Sequence, residues 1–211
     1  MSNTMDANAR RREIGQERRE RTRRRLLAAA ARVVAERGAN KATIDDFIQA
    51  AEVARGTFYN YYTTRDELIA DLWMQVGRNP MQEIQRAGAT LADPAERLCA
   101  TIRMVLRRAA EDPTWGWLVY ALSADRESVN DDLLTFPGPD LLVGRQTGRL
   151  AFDDLSTAKD LLVGSVRAAL RGQMSEGRPA THAGDLCVML MRALGLEEQE
   201  ARHLSGKPLP E

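Results

Sequence analysis

Apolar positions recur at helical spacing along most of the chain. Leu26, Ala30, Val33 and Val34 share one face of a segment over 19–37 that Gly38 ends, so the first predicted helix is amphipathic. Thr43 followed by Asp46 has the form of a capping box, and Ile44, Phe47, Ile48 and Ala51 then recur at i, i+3, i+4 and i+7. Glu52, Val53 and Ala54 leave room only for a tight turn before a short helical segment, 55–61. Its spacing turns Phe58, with Tyr62 just after it, inward and leaves Gly56, Thr57, Asn60 and Tyr61 facing out. Thr64 and Glu67 repeat the capping-box form and open a fourth helix over 65–77, with Leu68, Leu72, Trp73 and Val76 as its apolar stripe.

Gly77, Asn79 and Pro80 then mark a boundary, dividing the chain into a basic and disordered arm (1–20), a first domain (21–76) and a second domain (77–211). The second domain still reads as helices, over 81–91, 94–110, 114–124, a short piece within 128–134, 156–176, 182–194 and a tail near 197–204. Pro94 follows Asp93, and Pro113 follows Asp112, so each pair fits a capped start with proline in the first turn. Thr157 followed by Asp160 fits a cap for the penultimate long helix. The stretch 135–152, with Pro137, Gly138, Pro139, Gly144 and Gly148, reads as irregular. With no repeat and no convincing strand pair, the fold class is all-α.

Two short helices joined by a tight turn, over 44–61, form a helix-turn-helix, whose second helix is narrow enough for a major groove about 12 Å wide. Net charge is zero, which alone argues against a nucleic-acid partner, yet the charge is unevenly placed. Residues 10–25 hold nine arginines against three glutamates, beside the helix-turn-helix. Such a run serves either as a solvated tail or as an arm that neutralises phosphates.

The residues Gly56-Thr57-Phe58-Tyr59-Asn60-Tyr61-Tyr62 and Arg65-Asp66-Glu67-Leu68 closely resemble the recognition-helix signature of the tetracycline-repressor (TetR/AcrR) family of bacterial transcription factors. Thr22 to Leu27, Ala29-Ala30, Glu36-Arg37-Gly38 and Thr43-Ile44 extend the likeness upstream. Two departures stand out: Glu52 where the family usually has glycine, and Ala54 where it usually has a serine or threonine cap. The resemblance implies an N-terminal helix-turn-helix domain and a C-terminal helical ligand-binding and dimerisation domain. It also implies a repressor that leaves a palindromic double-stranded DNA operator when a small apolar effector binds. By side-chain chemistry and resemblance, Arg55, Gly56, Thr57, Asn60 and Tyr61 are candidates for base edges or adjacent sugar, and Thr43, Tyr59 and Arg65 for phosphates.

In the second domain, Gly164, Ala168 and Gly172 recur every four residues, and Leu186, Cys187, Val188, Met189, Leu190 and Met191 are apolar without a break. Either feature serves an internal helix or a partner subunit. The resemblance favours a homodimer with Gly164, Ala168, Gly172, Leu186, Met189 and Leu190 at its interface. In a chain only 5% aromatic, Trp115, Trp117 and Tyr120 gather large apolar faces with polar handles, as core filling or as a ligand pocket. Met104, Phe136 and Phe152 join them by family analogy as candidate lining residues.

Catalysis finds little support, and neither a cofactor nor a metal is expected. His182 and His203 lie in no metal-ligand spacing, Ser123, Ser156 and Ser165 lack a nucleophile-elbow setting, and glycine-rich phosphate loops are absent. Cys99 and Cys187 are too few and too far apart in sequence for a disulfide framework, and read as buried thiols. With 44% apolar and 28% charged residues, a polar amino terminus and no long apolar run, the chain is expected in the cytoplasm with no membrane partner. The rival readings are a helical small-molecule carrier or enzyme with a vestigial DNA-binding domain, and a helical interaction adaptor.

Overall fold

The computed structural model describes residues 2–37, 41–122 and 136–210, with side chains of 2–9, 11–14 and 121–122 left aside. Among them every regular element is helical, and the chain divides into two compact units, 1–72 and 73–211.

The first unit holds α1 (Ser2–Arg37), α2 (Ile44–Ala51), α3 (Arg55–Tyr59) and α4 (Arg65–Leu72). Leu26, Ala30, Val33 and Val34 of α1 are buried as the spacing requires, and Leu27 and Ala29 widen that face. Phe47, Ala51, Phe58, Tyr62, Leu68, Ile69 and Leu72 complete the core from the other three helices and the turn after α3. The helix expected to start at Arg19 begins at Ser2, so the segment read as a disordered arm continues α1. That segment is rich in alanine, arginine, glutamate and glutamine, which lose little freedom in a helix, and its only glycine, Gly15, is tolerated at modest cost.

Capping fixes α2 at both ends. The Thr43 hydroxyl accepts from the Asp46 amide at 3.2 Å, while the Asp46 carboxylate accepts from the Thr43 amide at 2.9 Å. At the other end the Glu52 amide donates to Gln49 and the Val53 amide to Ile48, the paired bonds of a Schellman turn. Glu52 sits in the left-handed region there, at φ 49° and ψ 49°. The box expected at Thr64 is half formed: its hydroxyl accepts from the Glu67 amide at 3.1 Å, but the Glu67 carboxylate reaches back to the Thr63 amide at 2.6 Å instead.

The second unit opens with a π turn (Trp73–Gly77), followed by α5 (Arg78–Ala89), α6 (Pro94–Glu111), α7 (Pro113–Leu122), α8 (Gly138–Gln146), α9 (Leu155–Glu176), α10 (His182–Ala193) and α11 (Glu198–Gly206). The helix expected over 65–77 therefore ends as regular α-helix at Leu72, and Asn79 and Pro80 lie inside the first turn of α5. Gly77 is required by packing: a Cβ would lie 2.0 Å from the Trp73 ring.

Helix α6 is the centre of this unit, packing against α5, α7, α8, α9, α10 and α11. Leu98, Cys99, Ile102, Met104, Val105, Leu106 and Ala109 are buried along it. Asp93 caps it, accepting from the Ala95 amide at 2.9 Å, and Asp112 accepts from the Trp115 amide at 3.1 Å at the start of α7, as both proline pairs imply. For α9 the cap is Asp154, whose carboxylate takes the Thr157 amide at 2.7 Å and hydroxyl at 2.8 Å, rather than Thr157. The stretch 135–152 is not irregular throughout, because it contains α8. Gly138 and Pro139 sit in its first turn, where they do not break a helix, and Leu141 anchors it in the core. The short helix expected within 128–134 falls outside the described residues.

Candidate nucleic-acid interface and effector region

Polar ties hold the helix-turn-helix and α4 to α1. Arg23 pairs with Asp71 of α4, donating through Nε at 2.9 Å and through Nη2 as well. The Tyr62 hydroxyl donates to the same carboxylate at 2.6 Å. Burial and that bond push the Tyr62 phenol well above its ordinary range. Arg32 donates to the Ala50 carbonyl at 2.9 Å, and Arg25 to the Glu52 carboxylate at 2.9 Å. The sequence placed Tyr62 inward on apolar grounds and missed its polar partner. Asp71, beside Leu72 in a stretch otherwise read only for its apolar stripe, was the available signal.

Helix α3 turns Phe58 fully into the core and leaves Gly56 and Asn60 exposed and Thr57 half-exposed. Gly56 has open space where a Cβ would be. Ala54, in the N-cap position, has extended backbone at φ −70° and ψ 150° and supplies no side-chain cap. Arg55 is exposed and paired with Asp45 of α2, so it must exchange that partner to reach a base. Tyr59 is 46% exposed and meets the Phe58 ring edge-on at 5.5 Å. Tyr61 is tied back to α1, its hydroxyl donating to the Arg19 carbonyl at 3.2 Å and its ring lying under the Arg19 guanidinium at 5.8 Å. Thr43 has its hydroxyl engaged in the α2 cap, and Arg65 pairs with Asp66 at 2.8 Å. Exposed Arg18, Arg19, Arg21, Arg24 and Arg25 keep this part of α1 strongly cationic.

The six candidate pocket residues of the second unit stand in different surroundings. Trp115 is 1% exposed and its indole N–H donates to the Gly77 carbonyl at 2.9 Å, so it is a core residue that satisfies the π turn. Met104 is likewise buried. Trp117 meets Tyr120 edge-on at 5.6 Å, and the Arg167 guanidinium lies 4.6 Å over the Tyr120 ring. Phe152 lies under Arg145 at 5.7 Å. Phe136 lines a cavity of about 390 Å³ with Gly88, Thr101 and the Arg97–Asp140 pair. Thr101 there is the buried polar side chain that the sequence reading overlooked, hidden in the apolar run of α6.

Of the interface candidates, Gly164 and Ala168 lie exposed on α9, alongside Leu161 at 40% exposure, and Met189 of α10 is 71% exposed. Leu186 is half-buried. Leu190 is instead in the subunit's own core, and Gly172 is covered by Arg178, whose Nε would lie 2.4 Å from a Cβ there. Cys99 and Cys187 are both buried, and the Cys187 thiol donates to the Cys99 carbonyl at 3.5 Å. Among the described residues no cluster suited to a metal ion is found, and no helix is long and apolar enough to cross a membrane.

A capped helix, a left-handed turn and a second helix with an exposed outer edge, set on a cationic α1, define a DNA-binding helix-turn-helix protein with a separate helical unit. The family model for bacterial regulatory proteins of the tetR family matches residues 26–72, and that for the tetracyclin repressor-like C-terminal domain matches residues 93–207. The chain belongs to the TetR family. It is a DNA-binding transcriptional regulator, and the members it matches are regulators rather than enzymes.

Among curated relatives, the HTH-type transcriptional regulator YvdT of Bacillus subtilis is 42% identical over 45 residues, 21% of this chain and 23% of that protein. The probable acrEF/envCD operon repressor of Escherichia coli K12 is 30% identical over 115 residues, 54% of this chain and 51% of that one. The chain thus spans about a quarter and about half of the lengths of these two relatives. Among solved structures, RolR in complex with its ligand resorcinol is 30% identical, covers 92% of this chain and 98% of its own, and superposes with a TM-score of 0.68.

Proposed function

We propose that this protein is a homodimeric repressor released from a near-palindromic operator by a small effector bound in its second unit. The likeness to RolR carries this reading: it extends over 92% of the chain, and that protein's structure holds resorcinol. Two copies would place their α3 helices in successive major grooves about 34–36 Å apart. Arg55 is suited to guanine and Asn60 to adenine, with Gly56, Thr57 and Tyr61 at neighbouring positions and Thr43, Tyr59 and Arg65 on phosphates. The exposed face of Leu161, Gly164, Ala168 and Met189 is the dimer contact.

The effector chamber is the cavity at Phe136, whose volume of about 390 Å³ is at the low end of small-molecule sites. An aromatic wall, the Thr101 hydroxyl and the Arg97–Asp140 pair suit a small, largely apolar ring with polar edges. Its binding releases DNA only if it favours a dimer whose reading helices no longer match the groove spacing.

Fluorescence anisotropy with DNA from upstream of the protein's own gene tests the reading. Arg55→Ala and Asn60→Ala should each weaken specific binding by about 1–3 kcal/mol and leave random DNA nearly unaffected. Equal losses on both DNAs would move these side chains to the phosphates, and no binding by the wild type would favour a carrier with a vestigial DNA-binding unit. Phe136→Ala should blunt effector-induced release without changing operator affinity.

A further inference from the structure

A second cavity, of about 470 Å³, lies in the same unit away from Phe136, where the later half of α6 meets the end of α9, the connection to α10 and the tail after α11. Arg103 and Arg107 reach it from α6 and Arg178 from the connection, with His182 at the first position of α10. No aspartate or glutamate lines it. Arg178 pairs with Glu176 at 2.9 Å and Arg107 approaches Glu111 at 3.9 Å, both pairs lying at the solvent-exposed rim where screening makes them weak. Arg103 is fixed in place by donating to the Lys207 carbonyl at 2.8 Å, a neutral acceptor.

Two further features favour negative charge at this place. The N-cap residue of α10, Thr181, provides no side-chain cap, and Ala183 and Gly184 of the first turn, which also carries Asp185, lie on the cavity wall at the positive end of a twelve-residue helix. The apolar part of the wall is Leu106 and Ala110, interleaved with Arg103 and Arg107 along α6, together with Leu209. Three arginines border this one cavity, and an anion entering it would accept planar, bidentate hydrogen bonds from their guanidiniums.

We infer that this cavity binds a small organic anion, its acidic head held by Arg103, Arg107 and Arg178 and its apolar body lying on Leu106, Ala110 and Leu209. The site is separate from the effector chamber and from the DNA-reading helix, so it stands or falls independently of the operator. The test is a fluorescence titration of the full chain, without DNA, using 8-anilinonaphthalene-1-sulfonate, with the uncharged N-phenyl-1-naphthylamine as its neutral counterpart. Wild type should take up one sulfonate probe per chain. Arg107→Gln combined with Arg178→Gln should weaken that binding about tenfold or more, with neutral-probe binding unchanged. Ala110→Trp, which fills the cavity, should abolish both.

Circular dichroism establishes that each variant is folded; if the double variant is not, Arg107→Gln alone should still weaken the sulfonate probe about threefold or more. Sulfonate binding that ignores the arginine changes overturns the anion assignment, and binding that survives Ala110→Trp overturns the site. Arg55→Ala should leave every one of these titrations unchanged, which separates failure here from failure of operator recognition.

Discussion

Replacing Ala54 by serine should stabilise the reading helix. Ala54 already has the extended backbone of an N-cap residue and is exposed, so a hydroxyl at this place meets no obstacle and needs no rearrangement. The Thr57 and Phe58 amides both turn toward the Ala54 carbonyl, at 2.9 and 3.2 Å, and the added oxygen would accept from the same first turn. An N-cap serine in place of alanine contributes typically about 1 kcal/mol, which corresponds to a roughly fivefold slower opening-limited exchange of first-turn amides. Tryptophan fluorescence is blind to this change, because Trp73, Trp115 and Trp117 all lie in the second unit. Amide hydrogen exchange of a peptide spanning α2 and α3 reads it directly. Ala54→Val, which adds bulk without an acceptor, is the control. Equal protection in the serine and valine variants would refute the capping argument, and so would no change in the serine variant.

Glu52→Gly should add up to about 1 kcal/mol in the same exchange measurement: about 1–2 kcal/mol of left-handed strain is relieved, while glycine's greater freedom in the unfolded chain and the loss of an exposed pair with Arg25 offset part of it. Gly77→Ala should destabilise the second unit by about 1–3 kcal/mol, because its Cβ would collide with the Trp73 ring, and denaturant unfolding followed by tryptophan fluorescence checks this. Asp93 sits partly buried, which opposes ionisation, yet hydrogen bonds from Arg149 and the Ala95 amide outweigh burial and hold its carboxyl below the usual range. Its stabilisation is therefore complete above the unfolded aspartate value of about 3.9 and is lost as pH falls through the lower folded value. Asp93→Asn should consequently cost about 1–2 kcal/mol at pH 7, with the gap to wild type closing below about pH 4 in urea melts.

What the sequence determined by itself is what short-range chemistry controls. The 3.6-residue apolar period identified the buried faces of α1 and α2, because a helix that cannot bury its apolar stripe is not stable. The Thr43–Asp46 box and the Asp93 and Asp112 caps were legible because donor and acceptor lie within three residues. Where the local signal was ambiguous, tertiary packing decided. Glycine and proline at 137–139 read as part of an irregular stretch, yet a helix starts there and buries Leu141. Asp154 competed with Thr157 for the start of α9 and took it.

The sites depended on tertiary structure even more. Nothing near Trp115 in sequence announces that its indole N–H meets the Gly77 carbonyl, 38 residues away, which makes it core rather than pocket. Cys99 and Cys187 lie 88 residues apart and still share a buried contact. No sequence motif joins Arg103 and Arg107 to Arg178, and only the packing of α6 against α9, α10 and α11 brings them around one cavity. The reason is physical: caps and amphipathic faces are set by neighbours along the chain, whereas a cavity's charge is the sum over walls that long-range packing alone assembles.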